Sequence, residues 1–275
     1  MPYVRLVASC DRSGSLRGMG LLDGKIALVA GVANKRSLAW AIARRLAEQG
    51  ATLAFTYQGE RIESSVRELA ASVGSDVVIE CDVADDASID KAFAELTERV
   101  GGLDLMVHSI AFAQAHDLAG RFTDTKRDDY RLAIDISAYS LVAMTQRAEP
   151  LMEARGGGSI VTMTYLGGER AIPGYNVMGV AKAALDASMR YLAADLGPKN
   201  IRVNAISAGP VRTLAARGIA GFSQMEGVIA ERAPMKRGID ADDVGQAGLY
   251  LLSPMAASVT GTILYVDAGY HAMGL

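Results

Sequence analysis

Cysteine is scarce in this sequence. Cys10 and Cys81 are the only two in 275 residues, and neither has metal-ligand spacing. That excludes a disulfide framework and a cysteine-built zinc module. The three histidines, His108, His116 and His271, are scattered, so no metal site is expected. Basic residues do not dominate either. The formal net charge is -3, which gives a nucleic-acid role no support. No apolar run approaches the roughly 18 residues of a spanning helix, so no membrane span is expected. Near the start, Val4–Ala8 is broken by Arg5 and is too short for a signal-peptide core. Repeats, linkers and low-complexity tracts are missing as well. The simplest organisation is an N-terminal extension over 1–20, with Met19 a candidate start, and one domain over 21–275. These features point to a cytoplasmic protein.

Half of the residues are hydrophobic and 21% are charged, enough for a substantial core. KIALVAG (Lys25–Gly31) reads as a buried parallel strand. A polar loop follows, and then Ser37–Gln49 has helical periodicity through Leu38, Ile42 and Leu46, stopped by Gly50. Strand, glycine turn and helix together have the shape of a dinucleotide phosphate site. The usual three-glycine fingerprint is incomplete, because only Gly31 precedes Ser37. Ser37 is a helix N-cap or a phosphate ligand, and one residue can serve as both.

The alternation continues. Strands are expected at Ala51–Tyr57, Asp76–Cys81, Leu103–Ser109, Ser159–Thr164, Ile201–Ser207 and Thr262–Asp267. Helices are expected at Arg61–Val73, Asp85–Val100, Arg127–Glu153, Tyr175–Leu196 and Asp240–Ser253. Pro150 should bend or shorten the long third of these, and Gly197-Pro198 should end the fourth. Residues 214–232 look like a helical flap. The fold class is therefore α/β: a single-domain, Rossmann-like, doubly wound parallel sheet of about seven strands, with helices on both faces. Ligands bind such sheets at the carboxyl ends of the strands. There Gln58 is neutral where a ribose-binding acid or a phosphate-binding base often stands, and NADH is expected over NADPH. Asp82 is a cap or a cofactor contact; Ile110 is a core residue or a contact.

The chemistry concentrates after the fifth strand, at Tyr165, Tyr175 and Lys182. Tyr175 and Lys182 are seven apart, two helical turns, so they share a helix face. A free phenol has a pKa of about 10. A neighbouring ammonium is expected to lower it and leave a tuned donor for an oxygen that gains charge during reaction. Alone, such a pair reads better as a core tyrosine and an exposed lysine; the dinucleotide fold around it reverses that.

From about Leu22 onward the sequence resembles the bacterial enoyl-acyl-carrier-protein reductases, a divergent branch of the short-chain dehydrogenase/reductase family. The runs that carry the likeness are GVANKRS (Gly31–Ser37), CDVADDASID (Cys81–Asp90), HSIAFA (His108–Ala113), DISAYS (Asp135–Ser140), TYLGGERAIPGYNVMGVAKA (Thr164–Ala183) and RVNAISAGPVRTLAA (Arg202–Ala216). The Tyr-x6-Lys spacing separates this branch from ordinary carbonyl reductases. Their tyrosine, four residues before the lysine, is Met178 here, and Tyr165 stands where they keep a serine.

The resemblance implies reduction of the carbon–carbon double bond of trans-2-enoyl thioesters with NADH, the last step of fatty acid elongation. It implies acyl carrier protein as partner and a homotetramer. It implies catalysis by Tyr165, Tyr175 and Lys182. Cofactor contacts are implied at Gly31, Ser37, Leu38, Gln58, Asp82, Val83, Ile110, Lys182, Val211, Arg212, Thr213, Leu214 and Ala215. Ala113 matches a substrate-side contact, with Tyr175. An acyl chain needs an apolar groove, for which Tyr165, Met178, Ile219, Phe222 and Met225 are candidates, each also readable as core. Alternatives are a ketoreductase of 3-oxoacyl thioesters, disfavoured by Met178, and a non-catalytic dinucleotide sensor, disfavoured by the Tyr175–Lys182 pair.

Overall fold

A computed structural model of the chain describes residues 20–213 and 222–274, with the side chains of 222–225 outside that description. In order, the chain forms β1 (Ile26–Ala30), α1 (Leu38–Glu48), β2 (Thr52–Tyr57), α2 (Glu60–Ser72), β3 (Val78–Glu80), α3 (Asp86–Val100) and β4 (Leu105–His108). Next come α4 (Ala115–Leu118), α5 (Arg127–Ile134), α6 (Ser140–Glu153), β5 (Gly158–Thr164) and α7 (Asn176–Leu196). Then follow β6 (Ile201–Ala208), α8 (Phe222–Arg232), α9 (Ala241–Leu252) and β7 (Ile263–Val266).

The strands form one seven-stranded sheet in the order β3-β2-β1-β4-β5-β6-β7, and every pairing is parallel. Side chains alternate across a strand, so a sheet covered on both faces needs apolar residues at successive positions. β1 shows this: Ala27 and Val29 join the core beneath α1, α2 and α9, while Leu28 and Ala30 join the core beneath α3, α6 and α7. Burying one Leu, Ile or Phe contributes about 1.5–3 kcal/mol, so these two layers hold the sheet. The strand order reverses between β1 and β4, which opens a crevice at their carboxyl ends.

The expected helix over 127–153 differs in two ways. It is interrupted by a π-helical turn at Asp135–Tyr139. Inside that turn the Ser137 hydroxyl accepts from the Phe112 amide at 2.9 Å and donates to the Phe112 carbonyl at 3.0 Å, bracketing the β4 exit. Pro150 lies inside α6, which continues to Glu153. α7 ends at Gly197 as expected, although Gly197 keeps right-handed helical geometry and the left-handed residue is Asn200, at φ +58°.

His108 is fully buried in β4, its Nδ1 2.9 Å from Thr162 Oγ1 and its Nε2 2.9 Å from Ser140 Oγ. Burial first, then the Lys182 charge, pushes its imidazole down to about 3. The unfolded chain binds the extra proton below about 6.5. Stability from this group is complete above that pH and is lost as pH falls toward 3. By pH 5 the loss amounts to about 2 kcal/mol. Urea unfolding at pH 7.5 and pH 5 is expected to show an acid loss smaller by about that amount in His108→Asn. Equal acid losses in the two proteins would contradict the assignment.

Candidate active site

The crevice is built first by Gly31. Its φ is +100°, and a Cβ there would lie 2.0 Å from the Ser109 carbonyl oxygen at the end of β4, so only glycine fits. In the following loop the amides of Ala33 and Asn34 donate to Ser37 Oγ at 3.0 and 3.2 Å. Ser37 thus sits at the N-cap position of α1 but turns its hydroxyl back into the loop, and no side chain caps the helix. α1 begins with open amides and the positive end of its dipole. A loop that turns tightly at Gly31 against the end of β4 and leads into an uncapped helix start fits the pyrophosphate of a dinucleotide.

The other residues expected at the cofactor sit along the same carboxyl edge. Gln58 follows β2. Asp82 follows β3, and its Oδ1 accepts from the Ala84 amide at 3.0 Å. The cap of α3 is Asp85, which accepts from Ala87, so Asp82 is a turn residue and not a cap. Val83 and Ile110 are half-buried against the core. Val211, Arg212 and Thr213 follow β6, where exposed Arg212 pairs with Glu226 at 2.8 Å. Leu214, Ala215, Ile219 and the side chains of Phe222 and Met225 lie outside the described residues.

The catalytic candidates are set by β5 and α7. Tyr165 is extended, φ -152°, directly after Thr164. A one-turn 3-10 segment, Leu166–Gly168, then presses on α7. A Cβ on Gly167 would lie 2.5 Å from Tyr175 Cδ1 and 3.1 Å from Tyr165 Cδ1; one on Gly179 would lie 2.7 Å from the Gly167 carbonyl oxygen. These two glycines let the tyrosine rings meet edge to face, centroids 4.9 Å apart at 69°. Lys182 is 6% exposed, and its Nζ donates to the Met163 carbonyl at 2.7 Å. Asn176, with φ +34°, donates from Nδ2 to the Ala119 and Gly120 carbonyls at 3.4 and 3.3 Å, tying the start of α7 to the exit of α4. Sequence reasoning missed Gly167, Gly179 and Asn176; a glycine inside a helical pattern was the one available signal.

The electrostatics correct one expectation. Lys182 does not bring the phenol toward working pH. Burial pushes Tyr175 well above the usual phenol range, with Tyr165 and Asp186 adding to it. Burial likewise pushes Tyr165 up to about 12. The desolvation of a tyrosine only 9% exposed outweighs any stabilisation of its phenolate. Tyr175 is therefore a neutral hydrogen-bond donor. Lys182 is itself pushed down to about 8 by burial, opposed by Asp186.

An apolar wall adjoins the tyrosines. Tyr175, Met178 and Ala181 are buried together, with Ala113, Leu118, Ile134, Tyr165 and Ile172 packed against them. The structure thus brings the expected Ala113, Tyr165, Tyr175 and Met178 into one cluster and adds Leu118, Ile134 and Ile172. With three buried members it is far smaller than the two sheet cores.

The profile of the family described as Enoyl-(Acyl carrier protein) reductase matches residues 31–271. An enoyl-acyl-carrier-protein reductase (NADH) of Bacillus subtilis (strain 168) is 52% identical over 252 residues, covering 91% of this chain and 97% of that protein. The solved Bacillus cereus enoyl-acyl carrier protein reductase, a complex with NADP+ and indole naphthyridinone, is 50% identical, with a TM-score of 0.91 and coverage of 94% and 100%. The solved reductase of Anaplasma phagocytophilum, in complex with NAD, is 45% identical, with a TM-score of 0.88 and coverage of 95% and 97%. The matched span begins at the glycine that forms the crevice and includes both tyrosines and Lys182. By sequence, by fold and by the placement of these residues, the chain belongs to the enoyl-(acyl carrier protein) reductase family.

Proposed function

We propose that the chain reduces the carbon–carbon double bond of trans-2-enoyl-acyl-carrier-protein thioesters with NADH, the last step of bacterial fatty acid elongation, and that Tyr175 is its hydrogen-bond donor. The observation that carries this is the buried neutral Tyr175 packed on Tyr165, seven residues before buried Lys182, with Met178 in the carbonyl reductases' tyrosine slot.

Gly31, Ser37, Leu38 and the start of α1 would hold the pyrophosphate, and Gln58, Asp82, Val83, Ile110, Val211, Arg212 and Thr213 would line the rest of the dinucleotide. Leu214 and Ala215, also proposed as contacts, lie outside the described residues. Lys182 has three donors and spends one on Met163, leaving two for ribose hydroxyls. NADH, when bound, supplies the hydride that adds to C3 of the enoyl thioester. Tyr175 donates a hydrogen bond to the thioester oxygen as it becomes an enolate, a charge that is present only along the reaction path, and a proton drawn from solvent then adds to C2 to complete the reduction. Tyr165 supports that ring and, with Met178 and Ala113, would border the acyl chain; Phe222, also proposed there, has its side chain outside the described residues.

The test is the full chain with crotonyl or acetoacetyl thioester and either NADH or NADPH. Crotonyl-dependent oxidation of NADH is expected. Turnover of acetoacetyl but not crotonyl thioester would mark a ketoreductase, and no turnover with any enoyl thioester a nucleotide sensor.

We further propose a cytoplasmic homotetramer. Exposed Tyr130 and Tyr139 border an open concavity of 570 Å³ on α5 and the π turn, a surface suited to a second copy. No described helix is long and apolar enough to cross a membrane.

A further inference from the structure

On the side of α4 that meets α5, His116 and two carboxylates converge. His116 Nε2 lies 3.1 Å from Asp129 Oδ2 and 3.5 Å from Asp117 Oδ2. All three ligand atoms fall within 4.8 Å of one another. The decisive member is Asp117. Its side chain is 4% exposed, and its buried Oδ2 receives no hydrogen bond from the described residues. A carboxylate oxygen taken out of water without a donor is costly and calls for a cation. His116 at 3.5 Å is too far to hydrogen-bond it well, and carries charge only when protonated. His116 is itself 60% exposed, so the cluster opens to solvent on one side and an ion can enter.

The geometry points to a divalent-cation site made by His116 Nε2, Asp117 Oδ2 and Asp129 Oδ2, with water completing the coordination. Tetrahedral zinc sites, with bonds of about 2.0–2.2 Å, place neighbouring ligand atoms roughly 3.3–3.5 Å apart. Both histidine–carboxylate separations already lie close to that. One imidazole and two carboxylates suit Zn2+ or Co2+; an all-oxygen set would suit Mg2+ or Ca2+. The sequence did not announce the site, because its ligands are an adjacent pair in a one-turn helix and a third residue twelve positions on.

The ion would clamp α4 to α5. Leu118 of α4 and Ile134 of α5 both pack against the Tyr175–Met178 cluster. Asn176 reaches back to the carbonyls of Ala119 and Gly120. The clamp therefore braces the apolar wall of the active site and touches no reacting group. It stands whether or not the proposed reaction is correct.

The test uses the full chain, untagged and stripped with chelator, titrated with ZnCl2 by calorimetry and followed by thermal unfolding. The wild type is expected to bind one equivalent per chain and to unfold at a higher temperature with zinc. His116→Ala, at an exposed position, and Asp129→Asn are expected to weaken binding by at least about 100-fold, beyond the range typical for losing an outer-shell partner. Both should lose the zinc-dependent rise in unfolding temperature. Failure of the wild type to bind zinc, or unchanged binding in His116→Ala, overturns the site.

Discussion

Tyr175→Phe is expected to lower kcat for an enoyl thioester by about 10²–10³, the usual effect of deleting one preorganised oxyanion donor, about 2.7–4 kcal/mol. Cofactor affinity should stay at the wild-type level. The substitution removes only the hydroxyl. The ring keeps its edge contact with Tyr165 and its fit over Gly167, so the pocket is not rearranged. Because burial raises this phenol, it stays protonated at neutral pH. The wild-type kcat profile should then carry no ionisation of Tyr175 below pH about 10, the ordinary phenol value. Steady-state kinetics with crotonyl thioester, beside a fluorescence titration with NADH, separates the two effects. Wild-type turnover in the variant would remove Tyr175 from the chemistry. A large fall in NADH affinity would make it a cofactor residue instead.

The sheet was legible because parallel strands buried on both faces are apolar at successive positions, as in the IALVA of KIALVAG, the LMV of LDLMVHS and the IV of SIVTMT. β3 was read too long. Among the described strands it pairs with β2, in register over Val78–Glu80, and the ladder ends in single backbone bonds at Val77 and Cys81. The break at Asp135–Tyr139 was invisible to periodicity because its cause is tertiary: Ser137 binds the backbone of Phe112, twenty-five residues earlier. The candidate site divides in the same way. Residue types and spacing picked out Gly31, Tyr165, Tyr175 and Lys182. Spacing cannot state how dry the site is, and dryness decides the direction of the tyrosine pKa. Gly167 was hidden for a related reason, since its constraint is two rings that meet only after α7 docks on the turn behind β5.

Lys182→Ala is expected to weaken NADH binding and lower kcat together, in contrast to Tyr175→Phe. A charge 6% exposed is little screened, and it is the cation within the Tyr165–Tyr175 neighbourhood that α7 itself supplies. Its protonation sets a pH signature. With the ammonium pushed down to about 8, kcat/KM for NADH should fall about tenfold per unit above that pH in the wild type. The variant should lack this limb. Unfolding linked to Lys182 would not counterfeit the fall. Lys182 is a base whose folded pKa lies below its unfolded value of about 10.4. Between about 8 and that value the unfolded chain holds the extra proton, so this group makes the fold more stable as pH rises. Activity and stability should therefore move in opposite directions across one window. A limb that persists in Lys182→Ala would assign the alkaline loss to another group and leave the lysine a purely structural role.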